Sequence, residues 1–306
     1  MVTRSFKTLH EDGGNTAMKK QILDRQELPL MSASDNQSPT PESVREPMCT
    51  LLVSSCDKYA DLWRPYFSLL WMRWLDCPFP VALITEERLP EIPGVRPLCA
   101  GPGLDWSTLM IRALDAVGTP YVLLTLEDFF LRRAVDTARI LMLFADMRRQ
   151  QLRMLRLVPR PGPTAGIEMN HEYGAIAVGA PWRVSTQAAF WHVETLRRLL
   201  VRGEAIWEFE VNGTMRNTDH DGFAAVWRAA LPYHHHVVER GKWFPWSAWR
   251  FRRLGIGVDL SARPVMTFSD TVRWIIGKIT GKLVEGMSRE MRHALKPLAR
   301  RCGLVE

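Results

Sequence analysis

Two pairs of acidic residues stand out as groups that could do chemistry. Glu127 and Asp128 come directly after the apolar run Tyr121-Val122-Leu123-Leu124-Thr125-Leu126. Adjacent carboxylates offer hard oxygen ligands, which suit Mg2+ or Mn2+ and, beside such an ion, diphosphate oxygens. Side chains alternate along a strand, so the two acids point opposite ways unless the chain turns there. One acid then meets a metal directly while the other acts through water or holds the loop. A solvated strand end accommodates the same dipeptide. Glu208 and Glu210 form the second pair, within Trp207-Glu208-Phe209-Glu210. Read as a strand, this segment puts both acids on one face and the aromatics on the other. A carboxylate beside Trp or Phe is partly desolvated, which raises its pKa and suits a general base. An amphipathic edge strand shows the same pattern.

Three further segments carry polar groups worth placing. Ser54-Ser55-Cys56-Asp57 follows a short apolar run, and small hydroxyls with an acid at a strand end can hold a base or a ribose. The same types also make a turn and a helix cap. Neither GxGxxG nor GxxxxGK[ST] occurs, so any diphosphate must be met by a metal or by side-chain cations. His234-His235-His236 offers at most two ligands to one ion on a strand, and a partly exposed strand without metal is the plainer reading. GxSxG and HExxH are absent.

The elements that must position these groups alternate. Thr50–Ser55, Pro80–Ile84, Tyr121–Leu126 and Met154–Val158 read as buried strands. Asp61–Leu75, Trp106–Val117 and Val135–Gln150 read as helices. Apolar strands separated by helical patterns predict an α/β fold with a mainly parallel sheet covered on both faces. Ligands of such sheets bind beyond the carboxyl ends of the strands, which selects Ser54–Asp57 and Glu127-Asp128.

The chain of 306 residues is 46% hydrophobic and 24% charged, an ordinary globular composition, and no eighteen-residue apolar stretch spans a membrane. Five cysteines with no CxxC pair argue against a disulfide framework or a structural zinc site. A reducing cytosol without a secretory leader is the expectation. The net charge of +7 divides unevenly. Residues 1–48 carry 6 Lys/Arg against 7 Asp/Glu, residues 49–270 carry 26 against 23, and residues 271–306 carry 8 against 3. A nucleic-acid enzyme would place its charge on the body, which is nearly neutral, so no nucleic-acid partner is expected. Three regions follow: a disordered tail over 1–48, a folded domain over 49–270 and a basic helical tail over 271–306. From Asp270 to Arg301, apolar residues recur at three- and four-residue spacing with Lys and Arg between them. Such a helix either lies in an anionic membrane surface or covers a core with its lysines solvated.

The run Leu52-Val53-Ser54-Ser55-Cys56-Asp57-Lys58-Tyr59-Ala60-Asp61-Leu62-Trp63, followed by Asp76-Cys77-Pro78-Phe79-Pro80-Val81, resembles the start of bacterial surface-polysaccharide glycosyltransferases of the capsule or O-antigen type. Trp106, Tyr121–Leu124, Glu127–Leu131, Arg156-Leu157, Val184–Trp191, Trp207–Glu210, Gly213–Arg216 and Gly241-Lys242-Trp243 continue the likeness over about residues 50–265. The resemblance implies a GT-A-like fold and a nucleotide-sugar donor near Ser54, Ser55 and Asp57. It implies a divalent metal, Mn2+ or Mg2+, where Glu127-Asp128 stands in place of a strict Asp-x-Asp. Asp128 is then the metal or diphosphate contact and Glu127 the second candidate. It further implies Glu210 as catalytic base with Glu208 second, and an acceptor side lined by Gln187, Trp191 and Arg216. The expected enzyme moves a hexosyl-type sugar to a saccharide or lipid-linked acceptor, at the cytoplasmic face of the plasma membrane. Two other classes share the pattern. A methyltransferase shares the sheet but ordinarily needs a glycine-rich first turn, and a non-enzymatic basic membrane-surface or nucleic-acid module predicts steeply salt-dependent binding.

Overall fold

The computed structural model describes residues 47–164, 169–218 and 221–285. The tail expected over 1–48, apart from its last two residues, and positions 286–306 of the C-terminal helix lie outside these residues. Eight strands form one sheet: β1 (Cys49–Ser54), β2 (Val81–Thr85), β3 (Val95–Cys99), β4 (Tyr121–Leu126), β5 (Met154–Arg156), β6 (Tyr173–Ala175), β7 (Ala189–His192) and β8 (Phe223–Val226). Their order is β3-β2-β1-β4-β7-β5-β8-β6. The half built from β1 to β4 is parallel throughout. In the other half β7 runs antiparallel to both β4 and β5, and β6 antiparallel to β8, so the sheet is mixed beyond β4.

Helices cover both faces: α1 (Ala60–Arg73), α2 (Trp106–Ala116), α3 (Thr137–Arg149), α4 (Val193–Leu199), α5 (Ile206–Arg216), α6 (Pro245–Arg253) and α7 (Phe268–Glu285). The strand pleat explains the two layers. Leu51 and Val53 of β1 pack with Leu62, Tyr66 and Phe67 of α1 and with Leu143 of α3. Leu52 points the other way, into Met110 and Leu114 of α2, Leu196 of α4 and Phe209 of α5. All residues of β1 and β2 are buried, which is why their sequences are unbroken apolar runs rather than alternating ones. α2 starts where Asp105 accepts from Thr108 N at 2.9 Å and from Thr108 Oγ1 at 2.6 Å.

β3 carries Pro97 but pairs only with β2 at the sheet edge, where a missing N–H is tolerated. Two expectations need correction. Trp207–Glu210 is the first turn of α5, not a strand. At about 100° per residue, Phe209 and Gly213 fall on the buried side of that helix. A Cβ on Gly213 would lie 3.1 Å from Val184 Cγ1, so the missing side chain lets α5 approach the loop before β7. The three histidines lie in an irregular segment and diverge. His234 packs on Phe251, His235 on Tyr233, and His236 bonds Glu239 and packs on Trp274.

Past that segment comes a small antiparallel hairpin, β9 (Val238–Glu239) and β10 (Lys242–Trp243). Its two-residue turn, Arg240-Gly241, has φ of 50° and 74°. Both values are positive, as a tight hairpin requires, and an arginine is a strained choice at the first position. α7 begins with a reciprocal cap in which Thr267 Oγ1 accepts from Asp270 N and Asp270 Oδ2 accepts from Thr267 N. It rests on the hairpin through the Lys242–Asp270 ion pair at 2.8 Å and through Trp274 against His236.

Candidate functional site

A cavity of about 430 Å3 opens beyond the carboxyl ends of β1 and β4. The register of that strand pair puts Ser54 opposite Leu126, so both strands end level, and Glu127 N donates to Ser54 O at 3.3 Å. Ser54, Ser55, Glu127 and Asp128 all line the cavity, together with Tyr59, Glu86, Trp106 and the hairpin turn Arg240-Gly241.

The two serines are held by indoles. Trp106 Nε1 donates to Ser54 Oγ at 2.9 Å and Trp63 Nε1 to Ser55 Oγ at 2.8 Å. Asp57 plays a different part from the nucleotide contact expected of it. Its carboxylate accepts from the backbone N–H groups of Glu86, Glu87 and Arg88, each at 3.0 Å, and it does not line the cavity. Asp57 thereby pins the chain after β2, and Glu86, at the start of that loop, faces the cavity.

Glu127 and Asp128 differ from the other acids nearby. The short turn after β4, in which Phe129 N donates to Leu126 O, lets both face the cavity despite strand alternation. No hydrogen bond from another described residue reaches either carboxylate. Burial, then repulsion by Asp128, pushes the Glu127 carboxyl well above its usual range. Burial likewise pushes Asp128 up. Two desolvated carboxylates that no other described residue bonds are a donor set for a hard divalent cation. No group of three His, Cys, Asp or Glu suited to a metal occurs among the described residues, so such an ion would keep positions for phosphate oxygens and water.

The remaining expected residues are placed elsewhere. Glu208 Oε2 accepts from Ala205 N at 2.8 Å, a helix cap. Glu210 Oε1 accepts from Thr186 N at 2.7 Å, Thr186 Oγ1 at 2.8 Å and Ser185 Oγ at 3.2 Å. Two positions apart on a helix, they point to different sides rather than to one face, and neither lines the cavity. Trp191 cannot serve as a sugar platform. It sits on a central strand, fully buried, with its ring edge-on to Phe223. Arg216 forms a bidentate pair with Glu204, at 2.7 Å for both contacts, and donates to Leu199 O. It joins α4 to α5. Gln187 alone of the acceptor trio keeps a contact toward the site. It accepts from Tyr233 Oη at 2.7 Å, and Tyr233 stacks on Phe129, the residue after Asp128, at 4.1 Å.

Tyr59, Glu86 and Arg240 were missed from sequence. Arg240-Gly241 between short apolar flanks is a readable hairpin turn, but nothing local says that it folds over β1 and β4. Arg263 fixes it there by donating to Gly241 O at 3.1 Å while its guanidinium pairs with Asp61.

No family model matches this chain, and neither does any curated protein. Among solved structures it is similar to the galactosyltransferase LgtC in complex with donor and acceptor sugar analogs: 11% identity over 72% of this chain and 98% of that one, TM-score 0.36. An active-site mutant of LgtC gives the same identity and coverage with a TM-score of 0.34. The S. aureus protein TarS gives 12% identity over 79% of this chain and a TM-score of 0.41, and this chain spans 44% of its length.

Proposed function

We propose that this protein is a metal-assisted glycosyltransferase of GT-A-like architecture that takes a hexosyl-type sugar from a nucleotide-sugar donor. The observation that carries this reading is the Glu127–Asp128 pair, whose carboxylates take no hydrogen bond from any other described residue, set in a cavity that the hairpin tip Arg240-Gly241 also lines. A volume of about 430 Å3 is in the range of small-molecule sites. Ser54, Ser55 and the ring of Trp106 meet the nucleoside, while Glu86, whose two oxygens accept from Asp57 N and Gly103 N, holds the loops that frame the cavity. Asp128, with Glu127 second, would hold Mg2+ or Mn2+, and such an ion would supply positive charge to offset that on a leaving diphosphate. Arg240 supplies the side-chain cation that the absence of a glycine-rich phosphate loop calls for. Gln187, oriented by Tyr233, is assigned to the acceptor side. The acceptor is a saccharide, lipid-linked in bacterial surface-polysaccharide synthesis. The basic segment 271–306 brings the enzyme to the inner face of the plasma membrane.

In this reading Glu208 caps α5 and Glu210 anchors the turn that presents Gln187. Removing an acceptor of three bonds costs about 1–3 kcal/mol. Glu210→Ala is therefore expected to lose about that much stability in urea unfolding. Glu210→Gln keeps one acceptor oxygen and is expected to retain transfer. Loss of transfer in Glu210→Gln, with a pH profile that loses its acidic limb and an unchanged Tm, would restore Glu210 as base.

The function is tested by thermal shift with UDP-, GDP-, CMP- and dTDP-sugars, with and without Mn2+. A donor at about a hundred times its Kd should raise Tm by about 5 °C or more. The rise should require the cation. Arg240→Asn keeps a residue that tolerates positive φ and removes the charge, so Tm should hold while donor affinity falls about tenfold. Absence of any nucleotide-dependent shift in the parent protein would overturn the reading.

A further inference from the structure

We propose that α6 forms a docking surface for an anionic phospholipid bilayer, built into the folded body and separate from the basic segment that follows it. The helix PWSAWRFRR buries Ser247, Ala248 and Phe251 and turns Trp246, Trp249 and Arg253 outward at three- and four-residue spacing. Trp246 is 59% and Trp249 48% exposed, far more than large indoles usually are. Their rings stack at 4.7 Å, and the Arg253 guanidinium lies over Trp249 at 5.0 Å. Beside them a groove of about 480 Å3 is walled by Trp249, Leu260 and Val265, with Arg252 and Arg253 at its rim.

The chemistry of this face selects its occupant. α6 carries three arginines and no acid, and none of the three pairs with a carboxylate among the described residues. Trp and Arg are also enriched in protein–protein interfaces, although charge as a whole is depleted at their cores. What selects a lipid phosphate is therefore the set of three cations that no described carboxylate meets, with the Arg253 guanidinium over the Trp249 ring. Indoles at headgroup depth with cations against lipid phosphates have that arrangement. The apolar stripe gives the binding energy and the arginines give the preference for negative lipids. Ser247 Oγ donates to His236 O at 3.0 Å, and Phe244, the residue before α6, directly follows β10. The face is therefore one short hairpin from the cavity. That proximity suits a lipid-linked acceptor, the one point at which the inference rests on the proposed function.

Flotation of the full chain with phosphatidylcholine vesicles, with and without phosphatidylglycerol, tests it. The parent protein should float with the anionic vesicles and be released by salt. Trp246→Ala/Trp249→Ala should lower partitioning about tenfold or more with the C-terminal segment intact. Arg252→Gln/Arg253→Gln should lower it about fivefold per arginine on anionic vesicles only. Both pairs are exposed, so Tm and any donor-induced shift should stay at the parent values. Undiminished flotation of the tryptophan variant would overturn the proposal. So would equal binding to neutral vesicles. A parent dimer in light scattering that the tryptophan variant dissociates would reassign the face to a second copy of the chain. A parent protein that floats but shows no donor shift would sink the glycosyltransferase reading and leave this one standing.

Discussion

Asp128→Asn is expected to lower sugar transfer at least about a hundredfold while leaving the folded protein at least as stable as its parent near pH 8. The loss follows from removing a charged ligand where diphosphate charge develops, a change of about two to three orders of magnitude when one such electrostatic contact is lost. The stability follows from the same carboxylates. Burial raises the folded-state pKa values of Glu127 and Asp128 above those of the unfolded chain, with repulsion by Asp128 adding to it at Glu127 and by Glu239 at Asp128. The native state then binds the proton more tightly than the unfolded one. The pair therefore costs nothing where both states are protonated, and its cost grows as pH rises above the ordinary carboxylate range of about 4. An amide has no such cost. Melts of parent and variant should diverge with rising pH, the variant higher, and saturating Mn2+ with donor should raise the parent alone. A variant that transfers sugar normally, or that melts well below the parent near pH 8, contradicts the assignment.

The candidate site at Glu127-Asp128 was partly legible in the sequence. An unbroken apolar run ending in two acids puts both beyond the carboxyl end of a buried strand, and the turn in which Phe129 N donates to Leu126 O is what brings both to the cavity. β1 and β4 share that form, so Ser54 and Asp128 reach the same cavity. The legibility stops where local pattern and tertiary context disagree. Trp-Glu-Phe-Glu alternates over four residues, too short to tell a strand from a helix. Glu208 capping the backbone of Ala205 and the close approach at Gly213 settle it as a helix. Trp191 carries an aromatic face suited to a sugar, but β7 lies between β4 and β5, where both faces of the strand are covered. Asp57 has the right residue type at the right strand end, yet three backbone amides of the chain after β2 claim its oxygens. Arg240 has no sequence signal beyond a turn, because its place depends on an ion pair between residues 202 positions apart.

That ion pair is where the largest stability effect is expected. Arg263 and Asp61 meet through two contacts of 2.8 Å, with side chains only 6% and 10% exposed. The guanidinium also donates to Gly241 O and lies over the Tyr59 ring at 4.9 Å. One buried cation thus joins the start of α1, the turn after β1 and the hairpin tip that lines the cavity. Removing one partner of a buried pair leaves an uncompensated charge and costs about 3–5 kcal/mol. Asp61→Asn and Arg263→Met should each lose about that much in urea unfolding. The double variant leaves no stranded charge, so it should be far less unstable than the sum of the two, with a coupling of at least about 2 kcal/mol. Donor affinity should behave otherwise. Arg263→Met frees the Gly241 carbonyl whether or not Asp61 is present, so Arg240 loses its fixed position in both the single and the double variant. Stability recovered without donor affinity separates the electrostatic role of the pair from its role as the hairpin's anchor. Strictly additive losses, or full donor affinity in Arg263→Met, would mean that the pair neither couples these elements nor holds the hairpin over the cavity.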